Sequence, residues 1–111
     1  MILDKIKDYT EKRVEKLKLT RDFEEVKKQA TACSVQSPFA FEKALSGKEL
    51  SFICEIKKAA PSKGIIENEL PYVHIAKNYE QAGARAISVL TEPEFFLGAD
   101  HYLTEVAQAV G

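Results

Sequence analysis

Glu55 and Lys57 stand two positions apart in a stretch, Ser51 to Lys57, where apolar and polar side chains alternate. A period of two is that of a β-strand, so Phe52, Cys54 and Ile56 share one face, and Ile53, Glu55 and Lys57 the other. The two charged groups leave that face roughly 6.6 Å apart along the strand axis, near enough for carboxylate and ammonium to stabilise one another's charge. On an exposed face this would be an ordinary surface ion pair. The opposite face is apolar, however, and must pack on other elements. Wherever the charged face is interior instead, its charges are costly unless pairing or function compensates them.

The elements around this pair can be read from spacing and punctuation. Residues 2–17 set Ile2, Leu3, Ile6, Tyr9, Val14 and Leu17 mostly three or four apart among charges, an amphipathic helix that needs an apolar surface to lie on. A second helix is predicted from Phe23 to Ala30, with Asp22 as cap and Glu25 placed for a capping box. Ser37 and Pro38 predict a third, with Ser37 as N-cap and Pro38 at the first helical position. Phe41 and Leu45 lie on its inner face, and Gly47 closes it in a left-handed conformation. After the strand comes a loop, Lys58 to Leu70, rich in turn formers, then a helix opened by Pro71 and closed by Gly83. The apolar residues of that helix are Val73, Ile75, Ala76, Tyr79 and Ala82. A second strand, Ala86 to Leu90, a loop from Thr91 to Gly98 and a helix from Asp100 to Val110 complete the order, the last helix turning Tyr102, Leu103, Val106 and Val110 inward.

Two strands separated by such a helix are parallel and joined by a right-handed crossover. Parallel sheets are normally covered on both faces and rarely stop at two strands, so the pattern reads as the start of a longer βα-repeat protein. In an α/β barrel, side chains near the carboxyl end of a strand point into the mouth where active sites are built, which would make the Glu55 and Lys57 face the interior one.

Composition narrows the function classes. The chain has 111 residues, 45% hydrophobic and 30% charged, with a formal net charge of -1, so a soluble globular domain is expected and a broad basic field for nucleic acid is missing. Neither a signal-type apolar run nor eighteen consecutive apolar residues occur, so no membrane partner is expected and the reading is a cytoplasmic protein. Cys33, Cys54, His74 and His101 are isolated from one another in sequence, without the spacing of a zinc site or a disulfide framework.

The run Glu55-x-Lys57-x-x-x-Pro61-Ser62-x-Gly64 is followed by Ala82-Gly83-Ala84, by Ile87 to Glu92 and by Phe96-x-Gly98. Together with the opening helix and Ser37-Pro38-Phe39, these motifs resemble the N-terminal part of the indole-3-glycerol phosphate synthase family. The resemblance implies an α/β fold: an N-terminal helical extension (1–49) and the first two βα units (50–111) of a (βα)8 TIM barrel, an incomplete barrel in one partial domain. It implies the tryptophan-biosynthesis lyase that decarboxylates and cyclises 1-(2-carboxyphenylamino)-1-deoxyribulose 5-phosphate, with neither a metal nor an organic cofactor. The family's first-strand glutamate and lysine fall on Glu55 and Lys57 as catalytic residues. By the same resemblance Phe96 lines the pocket for the anthranilate ring, Leu90 lies beside it, and Ser62 belongs to a loop that closes over the site. One departure is Ala60, where many members carry serine, so any hydroxyl contribution there is lost.

The family's principal catalytic lysine and its phosphate-binding residues belong to later strands, so the resemblance implies that this chain alone is inactive. The alternative is a non-catalytic module whose open sheet edges pair with copies of itself or with the missing barrel portion. Chain entropy nearly offsets the apolar burial available at this length. Ile53, Ser88 and Leu90 are therefore expected to be covered by a partner chain or by rearranged helices such as residues 2–17.

Overall fold

A computed structural model describes residues 1–35 and 37–111, and the described chain forms two compact units, Met1–Pro38 and Phe39–Gly111. In the first, α1 (Ile2–Thr20) runs three residues beyond its expected end. Lys7 and Glu11, one helical turn apart, pair at 2.7 Å, a spacing that places their side chains side by side. Asp22 caps α2 (Phe23–Ala32) by accepting the N–H of Glu24 at 3.4 Å. Glu25 does not complete a capping box; its carboxylate instead accepts from the Gln29 amide at 3.5 Å. Neither helix buries a residue, and of the apolar stripe of α1 Ile2, Leu3, Tyr9, Val14 and Leu17 are exposed and Ile6 is half-buried.

The second unit begins differently from the expectation. Its first helix, α3 (Ala40–Leu45), is preceded not by Ser37 and Pro38 acting as cap and first turn but by Phe39, in the left-handed region at φ 59. Gly47 is not among the residues of positive φ. Ser46 makes that closure unnecessary, because its hydroxyl and its N–H both donate to the Lys43 carbonyl, at 2.9 and 3.3 Å, satisfying an end group the helix would otherwise leave open. Leu45 is half-buried while Phe41 is exposed.

The strand follows as β1 (Ile53–Ile56), and the expected loop contains a short hairpin, β2 (Ala59–Ala60) against β3 (Gly64–Ile65). Turn formers Pro61 and Ser62 reverse the chain, and the Lys63 N–H closes the turn on the Ala60 carbonyl at 3.2 Å. Pro71 precedes α4 (Tyr72–Gln81), and Gly83, at φ 97, ends it as expected. The N–H groups of Gly83 and Ala84 return to the carbonyls of Glu80 and Tyr79, the paired bonds of a Schellman closure. β4 (Ala86–Val89) and α5 (Asp100–Ala109) complete the unit.

β1 and β4 are parallel, with Ile53, Cys54, Glu55 and Ile56 opposite Ala86, Ile87, Ser88 and Val89. That register puts Cys54, Ile56, Ile87 and Val89 on one face, and there Ile56, Ala76 and Val106, at 2%, 0% and 3% exposure, form the core with α4 and α5. Leu103, expected inward, is 52% exposed, since Val106 and Val110 supply the face of α5 that meets this core, while Tyr102 stacks on Tyr72. Ala82 is likewise exposed, at the end of α4. The residues expected to be covered, Ile53, Ser88 and Leu90, all lie on the face of the sheet away from the packed core; there Ser88 and Leu90 are half-buried and Ile53 is 53% exposed. Among the described residues β1 and β4 form a two-stranded sheet that does not close into a barrel. Among the described residues no helix is long and apolar enough to cross a membrane, and Cys33 and Cys54 are free thiols.

Candidate active site

Strand alternation sends Glu55 away from the core, and the parallel register sets Ser88 directly opposite it. The Ser88 hydroxyl donates to one carboxylate oxygen of Glu55 at 3.1 Å, and Lys57 Nζ lies 3.5 Å from the other. Each oxygen thus has its own partner. The two charged side chains are 43% and 41% exposed, open enough to meet a ligand and close enough to act on it together. From α4, the Tyr79 hydroxyl donates to the main-chain carbonyl of Glu55 at 3.2 Å and so holds the strand segment that carries the carboxylate.

Leu90 is joined to this group through the sheet, its N–H donating to the Ile56 carbonyl at 3.0 Å. It shares the parity of Ser88 and therefore that face. Phe96, half-buried, lies in the loop after β4, and its carbonyl accepts the Ala59 N–H at 3.2 Å. That bond fastens the loop to the chain just beyond Lys57. Ser62 sits in the turn of the hairpin, exposed, and among the described residues no hydrogen bond joins it to the other four. Ala60, which replaces the resemblance's serine, is 8% exposed, so a hydroxyl there would need a buried partner.

Two residues in this arrangement carried no expected role. The sequence marks Ser88 only as interior, since its partnership with Glu55 depends on a register that no local pattern specifies. Glu92 accepts the N–H groups of Glu94, Phe95 and Phe96; the available signal was an acidic residue opening a loop that contains Pro93 and Gly98. Gly98 is required by close approach, because a Cβ there would lie 2.1 Å from the Leu90 carbonyl oxygen. A groove of about 410 Å³ runs beside β1, lined by Glu55, Lys57, Ile66, Glu67, Pro71 and Tyr79. Among the described residues no three His, Cys, Asp or Glu side chains gather as a metal site would need.

Parallel strands linked by a helix, with paired charges at the carboxyl end of one strand and a loop tied down by hydrogen bonds after the next, define a βα-repeat protein. The chain belongs to the indole-3-glycerol phosphate synthase family, whose model matches residues 3–111. It is similar to the indole-3-glycerol phosphate synthase of Ruminiclostridium cellulolyticum, 61% identical over 110 residues, which cover 99% of this chain and 42% of that protein. The synthase of Endomicrobium trichonymphae is 51% identical, with 99% and 43% covered. That of Lachnoclostridium phytofermentans is 45% identical, with 100% and 45% covered. The chain spans about two fifths of the length of these relatives.

Proposed function

We propose that this chain provides the N-terminal helices and first two βα units of an indole-3-glycerol phosphate synthase built on a (βα)8 barrel. In that setting it contributes the first-strand part of a site that decarboxylates and cyclises a phosphorylated anthranilate-derived ketose. The observation that carries the reading is the Glu55, Lys57 and Ser88 cluster at the carboxyl end of β1, inside a chain matched along residues 3–111. Ring closure requires a proton for the ketone oxygen as carbon attacks it, and cationic charge beside the departing carboxylate. Lys57 supplies the cation and takes part in proton transfer. Glu55, held by Ser88, belongs to the polar network around the reacting carbonyl. Phe96 and Leu90 give the aromatic ring an apolar wall, and Ser62 lies on the hairpin that covers it. The site is cytoplasmic and works without metal or organic cofactor.

The test replaces the matching segment of the Ruminiclostridium cellulolyticum relative with residues 1–111 and measures formation of indole-3-glycerol phosphate. Turnover is expected, and Lys57→Ala should lower kcat by roughly 10²-fold or more. An active chimera indifferent to Lys57→Ala would sink the assignment of that residue. The 111-residue chain alone is expected to give no product, because a barrel site draws on the ends of several strands; turnover by the pure chain would overturn that expectation. A self-associating module is the second reading. It rests on β1 and β4 pairing only with each other among the described strands, and a monomer in sedimentation velocity at high concentration would exclude it.

A further inference from the structure

Glu92 gathers the main chain that follows it. Its Oε1 accepts the Glu94 N–H at 2.7 Å, and its Oε2 accepts those of Phe95 and Phe96 at 2.7 and 3.1 Å. The main-chain carbonyl of the same residue accepts the Gly98 N–H at 2.9 Å. Pro93 has no N–H, which leaves Glu94 as the first donor the carboxylate can reach. Hydrogen bonds to an ionised acceptor are roughly twice as strong as neutral ones, and here three of them converge on one side chain. The loop has little other freedom: Leu97 is held at φ 53, sparsely allowed for such a residue, and Gly98 approaches Leu90 too closely for any Cβ.

We infer that Glu92 is a positioning residue, its carboxylate fixing the backbone that leads into Phe96 while its main-chain carbonyl holds Gly98 beyond it, so that this aromatic side chain is presented to the substrate in one orientation. The inference rests on Phe96 being a substrate-binding residue as proposed above, and it assigns Glu92 no contact with the substrate.

Glu92→Gln keeps the side chain's size and turns one acceptor oxygen into an NH2 group, so at least one N–H of the loop loses its partner. In the chimera, this variant is expected to raise KM about tenfold with a smaller change in kcat. In a Phe96→Ala background the same substitution should add little, since both changes act through one contact. Unchanged KM, or effects that multiply in the double variant, would overturn the inference. If Glu92→Gln does not fold, Glu92→Asp, which retains the charge on a shorter side chain, is read by the same criteria. In the 111-residue chain, amide hydrogen exchange at Glu94, Phe95 and Phe96 should quicken about tenfold on Glu92→Gln, as expected for lost charge-assisted bonds; unchanged exchange also overturns it. A chimera inactive before any substitution counts against the proposed function, and the exchange measurement then decides whether Glu92 holds the loop.

Discussion

Glu55 shows how little of a site a single side chain specifies. Its type and its spacing from Lys57 are in the sequence, yet its two oxygens are assigned by Ser88, which is distant along the chain, and by Lys57. Ser88→Ala should cost no more than about 1 kcal/mol in chemical denaturation, because water reaches the half-exposed carboxylate, while lowering kcat of the chimera severalfold. Tyr72 makes a second long-range bond, donating its hydroxyl to the Glu105 carboxylate, and that bond, with smaller contributions from desolvation and from the negative charge of Glu105, pushes its pKa up to about 12 from 10.0. The folded value lies above the unfolded one, so the contribution is complete below pH about 10 and is lost as pH rises from about 10 through about 12. Denaturation across that range should therefore show a stability loss in the parent chain that is smaller in Tyr72→Phe. Equal losses in both would remove Tyr72 from the account.

At the level of elements, local signals succeeded where the ends are chemically self-contained. Pro71 and Gly83 bracket α4 because a ring-fixed φ and a left-handed residue are local properties, and Asp22 begins α2 because its carboxylate needs only the next turn's N–H. They failed at α3, where Ser46 satisfies Lys43 and Gly47 is not needed, and at β2 and β3, which are two residues each and leave no periodicity to read. Gly83→Ala, forcing a side chain to φ 97, should destabilise the chain by about 1–2 kcal/mol, measured as a lower denaturation midpoint. Gly98→Ala should cost more, since the Cβ would meet main-chain atoms of Leu90 and Thr91 that cannot swing aside. A larger loss at Gly83 than at Gly98 would show that the loop after β4 gives way.

For the whole molecule, the second unit depends on one small core, Ile56 with Ala76 and Val106, covered by Leu70, Ile75, Tyr79, Ile87, Val89 and Val110. Ile56→Ala should cost about 2–5 kcal/mol, enough at this size to leave the unit largely unfolded by circular dichroism; a near-normal melt would mean that the core lies elsewhere. Sequence alone determined the order of α4, β4 and α5 after β1, the parallel pairing, Ile56 and Ala76 as inward residues, and the family, because alternation, helical period and motif spacing act over a few residues; Phe52 and Ala82, read on the same two faces, are exposed. Only the tertiary structure decided that Ser88 and Tyr79 hold Glu55, that Glu92 fastens the loop of Phe96, that Ser62 stands apart in a hairpin turn, and that Ile53 and Leu103 remain exposed. Those outcomes depend on strand register and on which faces meet across the chain, and both are set by packing between residues far apart in sequence.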